Sequence, residues 1–199
     1  MKNNSTLPTQ LLNTFKVLYH EECAVHELNQ NLQQYFKSYQ THSEIVLLCI
    51  GTDRSTGDAL GPLVGSKLER MYPTNCTIYG TLDSPVHAVN LQETLDRVQD
   101  SHHNPLIIGI DACLGQFSSV GKISITNGPL KPGAGVKKSL PEVGHFHITG
   151  IVNIGGFMEY FVLQNTRLNL VMKMADVIAT SLSLSIDKSQ KKRYNRFMR

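Results

Sequence analysis

The sequence predicts an α/β protein in which helices layer both faces of a mainly parallel sheet. Three observations predict it. Glu44 to Ile50 is a near-continuous apolar run closed by Gly51, the pattern of a strand covered on both sides. Leu106 to Ile110 is a second such run and leads into Asp111. Between them the apolar period becomes helical, with Leu60, Val64, Leu68 and Met71 on one stripe that ends before Pro73. At 199 residues, 41% of them hydrophobic, the chain fits one domain over 1–199 with a substantial core.

Leu11 to Tyr39 carries apolar positions at helical spacing (Leu11, Leu12, Phe15, Leu18, then Val25, Leu28, Leu32, Phe36), so residues 1–42 read as a helical extension. Asp58 falls in the first turn of the helix bearing Leu60 to Met71, where Pro62 is tolerated because early helix N–H groups lack partners. Thr77 to Leu82 reads as a strand and Ala88 to Val98 as a helix. With the two apolar runs they form a β-α-β-α-β series whose connections should be right-handed crossovers. Lys122 to Thr126 is a shorter strand, Asn127 to Gly135 a loop dense in Gly and Pro, and Phe146 to Val152 another strand. Phe157 to Leu163 and a stretch from about Thr166 to Ile186 read as helices, the second with Leu168, Met172, Ala175, Ala179 and Leu182 on one stripe. That stripe is buried against the sheet or against another subunit, which leaves a homo-oligomer open. No internal repeat or linker divides the chain.

The formal net charge of +3 belongs to the tail. Lys188 to Arg199 holds six basic residues and no acidic one, and without them residues 1–187 carry −3. Tyr194 and Phe197 interleave these charges, a pattern compatible with nucleic acid or an acidic partner. A frayed, solvated terminus is the simpler reading of residues 188–199, and direct nucleic-acid binding is not expected. Cys23, Cys49, Cys76 and Cys113 are scattered singly, without metal-binding spacing, as suits a reducing compartment. No run approaches the ~20 apolar residues of a membrane span, and Met1 to Gln10 lacks a secretory apolar region. A cytoplasmic protein without a membrane partner is expected.

The chemistry concentrates at strand ends. If both apolar runs are parallel strands of one sheet, Asp58 and Asp111 project from the same carboxyl-end edge, where open α/β sheets place their ligand crevice. Two carboxylates there can share a proton and activate water. Asp58 reads equally well as a plain N-cap, and Asp111 as a structural carboxylate bonded to loop amides. Asp53 and Asp83 sit at comparable strand ends as weaker candidates. A phosphate site at Gly57 is disfavoured: Asp58 would repel the anion, and Gly115 to Lys122 misses the P-loop spacing. His145 and His147 alternate with Phe146, so on a strand both imidazoles point to one face, where they could join the acids around a divalent metal. Without that addition no cofactor is called for. Cys113 reads as a small hydrophobe rather than a nucleophile, since no base accompanies it.

Gly57-Asp58-Ala-Leu-Gly-Pro62, Ile110-Asp111-Ala and Lys131-Pro-Gly-Ala-Gly-Val136, in this order and approximate spacing, resemble segments of the germination protease of bacterial endospores. In length and single-domain layout the chain is similar to the YyaC family of spore proteases, a shorter relative, over roughly Ile45 to Ser185. A more distant likeness runs to the hydrogenase-maturation endopeptidases, whose first glycine-rich turn also ends in an acid before a helix. The resemblance implies a three-layer α/β/α sandwich and an aspartic-type endopeptidase of the developing spore, acting on small DNA-protecting spore proteins with Asp58 and Asp111 as the catalytic pair. It also implies substrate contacts from the loop that begins at Lys131 and contains Gly133 and Gly135. By its strand-end position alone, Asp83 could assist substrate binding in the same crevice without doing chemistry. Two other readings stay open: a non-catalytic binding or regulatory protein that keeps the protease fold, and a metal-recognising maturation peptidase using His145 or His147.

Overall fold

A computed structural model describes residues 14–71, 76–133 and 140–197, with side chains described as far as Lys188. The strands are β1 (Thr14–Leu18), β2 (Glu44–Cys49), β3 (Cys76–Tyr79), β4 (Pro105–Gly115), β5 (Lys122–Asn127) and β6 (Phe146–Ile154). They form one sheet in the order β1-β5-β6-β4-β2-β3, in which only β5 runs against its neighbours. The helices are α1 (Ala24–Ser38), α2 (Leu60–Met71), α3 (Leu91–Ser101), α4 (Glu159–Gln164) and α5 (Leu168–Phe197).

The alternation along each strand sorts the side chains into two layers. Val17, Ile45, Leu47, Ile108, Ile110, Ile123, Ile125, Phe146 and Ile148 face α1, α2 and α5 in the main core. On the opposite face, Leu48 and Ile50 pack with Leu91 of α3 and with Leu130 and Val143. The result is the three-layer sandwich. The first 21 residues of α5, Leu168–Lys188, are apolar and long enough to cross a bilayer by composition alone. Val171, Met174, Ala175, Ile178, Ala179, Leu182 and Ile186 are nevertheless buried in the main core, so this helix is a core element; of the expected stripe, Ala175, Ala179 and Leu182 are covered, Met172 is half-buried and Leu168 is exposed.

α1 and α5 are joined by a buried polar link. The Asn29 amide donates to Ser185 Oγ at 2.7 Å and to the Ser181 carbonyl at 3.3 Å. Asn29→Ala leaves these acceptors without their donor and is expected to lower stability by about 1–3 kcal/mol, measured by chemical denaturation. α2 lies so close to the end of β2 that a Cβ added to Gly61 would fall onto the Ile50 carbonyl. Gly61→Ala therefore has to displace α2, at an expected cost of about 1–3 kcal/mol or more on the same measurement.

The N-terminal segment departs from the helical expectation. Phe15 and Val17 alternate with Thr14 and Lys16 and put β1 on the sheet beside β5, so the helical region begins only at Ala24. A five-residue strand is short enough for its period of two to be hidden inside a longer helical-looking window. β4 also runs past Asp111 to Gly115, because β6 continues to pair with it after β2 has ended. β3 stops at Tyr79, where Gly80 turns the chain with φ +93°. α3 starts at Leu91, not Ala88, since Val86 bridges to Ile50 and the Asn90 side chain ties up the preceding turn. At the other terminus α5 runs on to Phe197.

Candidate active site

β2 ends under a tight return. The Ile50 N–H donates to the Ile110 carbonyl at 2.7 Å, Gly51 adopts φ +146°, and its N–H donates to Val86. The chain then loops through Thr52 to Thr56 into a 3-10 turn, Gly57–Ala59, that leads straight into α2. The Asp58 carbonyl accepts the Thr52 N–H at 3.1 Å and closes this loop. Asp58 is thus inside the turn, past the N-cap position at Thr56, so plain helix capping is not its role.

Asp111 lies within β4, one residue beyond the last pair with β2, and points away from the main core that holds Ile110 and packs Ala112. Its Oδ1 accepts the Ala112 N–H at 2.8 Å. Burial is the main cause that pushes the Asp111 carboxyl up to about 8; the Ala112 N–H opposes this, and the charge of Asp58 adds to it. Asp58 is raised as well, again by burial, with the Ser55 hydroxyl favouring its charged form. Ser55 Oγ is itself buried and makes no full hydrogen bond among the described residues, so it is a donor in reserve beside Asp58. Two recessed carboxyls with raised proton affinities, one feeling the charge of the other, are the arrangement in which one holds a proton at neutral pH.

Residues 16–181 match the family described as "Protein of unknown function (DUF1256)". The chain belongs to the DUF1256 family. A relative, "Uncharacterized protein YyaC" of Bacillus subtilis (strain 168), is 64% identical over 141 residues, 71% of this chain and 69% of the relative. Among solved structures, the [NiFe] hydrogenase maturation protease HycI from Thermococcus kodakarensis KOD1 aligns over 78% of this chain and 98% of its own, with a TM-score of 0.54 and 17% identity. At that identity the likeness speaks for the fold alone.

Within this DUF1256 fold the acids Asp58 and Asp111 come together, and among the described residues no third His, Cys, Asp or Glu converges on them. His145 precedes β6 instead of lying on it: its Nδ1 accepts the Ile107 N–H at 3.1 Å, and its ring sits against Tyr39 and His42 near the start of β4. Burial and the neighbouring His42 hold its pKa below the ordinary value. His147 does lie on β6, on the same sheet face as Asp111, but its Nδ1 donates to the Gly128 carbonyl. Among the described residues no three His, Cys, Asp or Glu side chains converge as a metal site would require. Asp53 and Asp83 are exposed in their loops. Lys131 is exposed and paired with Glu142 at 3.1 Å; Gly133 is half-buried, and Gly135 lies outside the described residues. The base of that loop does reach the site's face, since Leu130 packs over Gly109, two residues before Asp111.

Three neighbours of the site escaped the sequence reading. Thr149 is registered directly with Asp111 across β6 and bonds to Cys113, whose thiol burial pushes up to about 11, an inert form. Ser55 is the second. The third is α4, whose Leu163 packs on Gly57 beside Asp58 while Phe157, Met158, Tyr160 and Phe161 stand exposed around it. Asn153 Nδ2 holds that rim in place through the Val162 carbonyl and Thr166 Oγ1. Four exposed large apolar residues within five positions were the available signal.

Proposed function

We propose that this protein is an aspartic-type endopeptidase of sporulating cells, acting in the cytoplasm of the developing spore on small spore proteins. The observation that carries the reading is the recessed Asp58–Asp111 pair with raised proton affinities. The peptidase-like fold and the relative from a spore-forming bacterium support it.

Asp111, held up to about 8, carries a proton at neutral pH and is the acid; Asp58, less strongly raised, ionises first and is the base. Asp58 takes a proton from water, whose oxygen attacks the scissile carbonyl carbon as Asp111 protonates the carbonyl oxygen. In the second step the C–N bond breaks, Asp58 passes its proton to the leaving amine, and Asp111 recovers one from the diol. One water is consumed, and both acids return to their starting forms. The scheme calls for no cofactor.

Purified protein incubated with small spore proteins, with and without chelator, tests this by mass spectrometry of the products. Cleavage that survives the chelator is expected. Loss of cleavage on chelation would move the chemistry to a divalent ion, and a folded protein that binds these proteins without cutting them would overturn the reading.

A further inference from the structure

Among the described residues, one half of the sheet face that carries Asp111 is covered by a helix and a loop. α3, Leu130 and Val143 pack over β2 and β4, while no described helix packs on this face of β6, β5 and β1. The row of side chains beneath is polar and in register, with Ser124 at its centre buried: Asp111 pairs with Thr149, Thr149 with Ser124, and Ser124 with Lys16. Partners that sit directly opposite in a ladder point to the same face, so the four side chains form one row across four strands. Lys122 stands on this face too, diagonal to Lys16, because Ile123 and Ile125 on either side of Ser124 occupy the main core.

Lys16 is exposed and Lys122 half-buried, and neither is in an ion pair among the described residues, in contrast to Lys67 with Asp176 and Lys131 with Glu142. Two unpaired ammonium groups at one end of a polar floor, with the acid pair at the other, ask for a ligand that brings its own negative charge. We infer that this half-sheet binds an acidic peptide segment, Lys16 and Lys122 pairing with its carboxylates while the neighbouring bonds lie over Asp58 and Asp111. Three strand spacings separate Lys16 from Asp111, ~14 Å, which an extended peptide covers in about four residues. At neutral pH the protonated Asp111 adds no repulsion to such a ligand. A peptide is favoured over a nucleic-acid strand because the floor opens onto the crevice that holds the acid pair, and the His147 ring on this face is tied to the Gly128 carbonyl.

The inference rests on the peptidase reading for the position of the scissile bond, and its test is separable because it reads binding. The full chain is titrated into fluorescein-labelled 12-residue peptides of alternating Glu and Ala, or Gln and Ala, and anisotropy is followed at low ionic strength. The Glu peptide is expected to bind at least tenfold more tightly than the Gln peptide. Lys16→Glu combined with Lys122→Glu should remove that preference, and Lys16→Gln should weaken it severalfold should the double variant misfold. Equal binding of both peptides, unchanged affinity in the lysine variants, or loss instead on Lys191→Glu and Lys192→Glu in the basic tail would overturn the inference. Tighter, Lys16-dependent binding of a labelled 12-nucleotide oligothymidine would overturn it in favour of nucleic acid. Cleavage that fails while the charge preference holds would sink only the peptidase reading.

Discussion

Asp58→Asn and Asp111→Asn are each expected to reduce peptide-bond cleavage by roughly 10²–10⁴-fold, the range a single positioned acid or base supplies. The change is nearly isosteric, and the amide side chain of the Asp111→Asn variant can still offer an oxygen to the Ala112 N–H, so the local geometry of β4 is retained. What is lost is the proton. An amide in place of the Asp58 carboxylate cannot accept one from water, and an amide in place of the Asp111 carboxyl cannot deliver one to the carbonyl oxygen. Because the two act as one unit, the double variant should be little worse than either single one. Initial rates by mass spectrometry, with circular dichroism to verify folding, decide the matter. A variant that cleaves at the wild-type rate removes its residue from the mechanism.

The second large effect is on pH. The Asp111 carboxyl titrates at about 8 in the folded chain against 3.8 for an unperturbed aspartate, so between those values the native state holds a proton that the unfolded state has released. Its contribution to stability is therefore fully present below about pH 4, declines as pH rises, and is exhausted above about 8. One proton gives a slope of at most ~1.4 kcal/mol per pH unit. Asp58 is raised in the same direction and adds to the trend. Carboxylates elsewhere slope the opposite way, so the informative quantity is the difference between wild type and Asp111→Asn. That difference should move in favour of the variant as pH rises from 5 to 8; a difference independent of pH would refute the raised Asp111 carboxyl. In kcat/KM the same groups predict a bell, with the alkaline limb near 8 where Asp111 loses its proton and the acid limb set by Asp58.

Much of the frame was legible locally. The continuous apolar runs at Glu44 to Ile50 and Leu106 to Ile110 mark strands covered on both faces, and the stripe from Leu60 to Leu68 marks the helix packed on them. The acids at 58 and 111 stand out because each follows such a run or turn at the sheet's carboxyl end. β1 escaped because five residues carry too few periods to compete with the helical spacing around them. The two histidines look paired in sequence, yet His145 lies before β6 and is tied to Ile107, while His147 is tied to Gly128.

By itself, then, the sequence determined most of the elements and marked the two acids as candidates, because periodicity and strand-end position are relations between chain neighbours. Only the tertiary structure decided that Asp111 faces away from the main core in line with Thr149, Ser124 and Lys16, and that its carboxyl is raised to about 8. Register and desolvation are set by residues far apart in the chain, and they exist only once the sheet has closed around them.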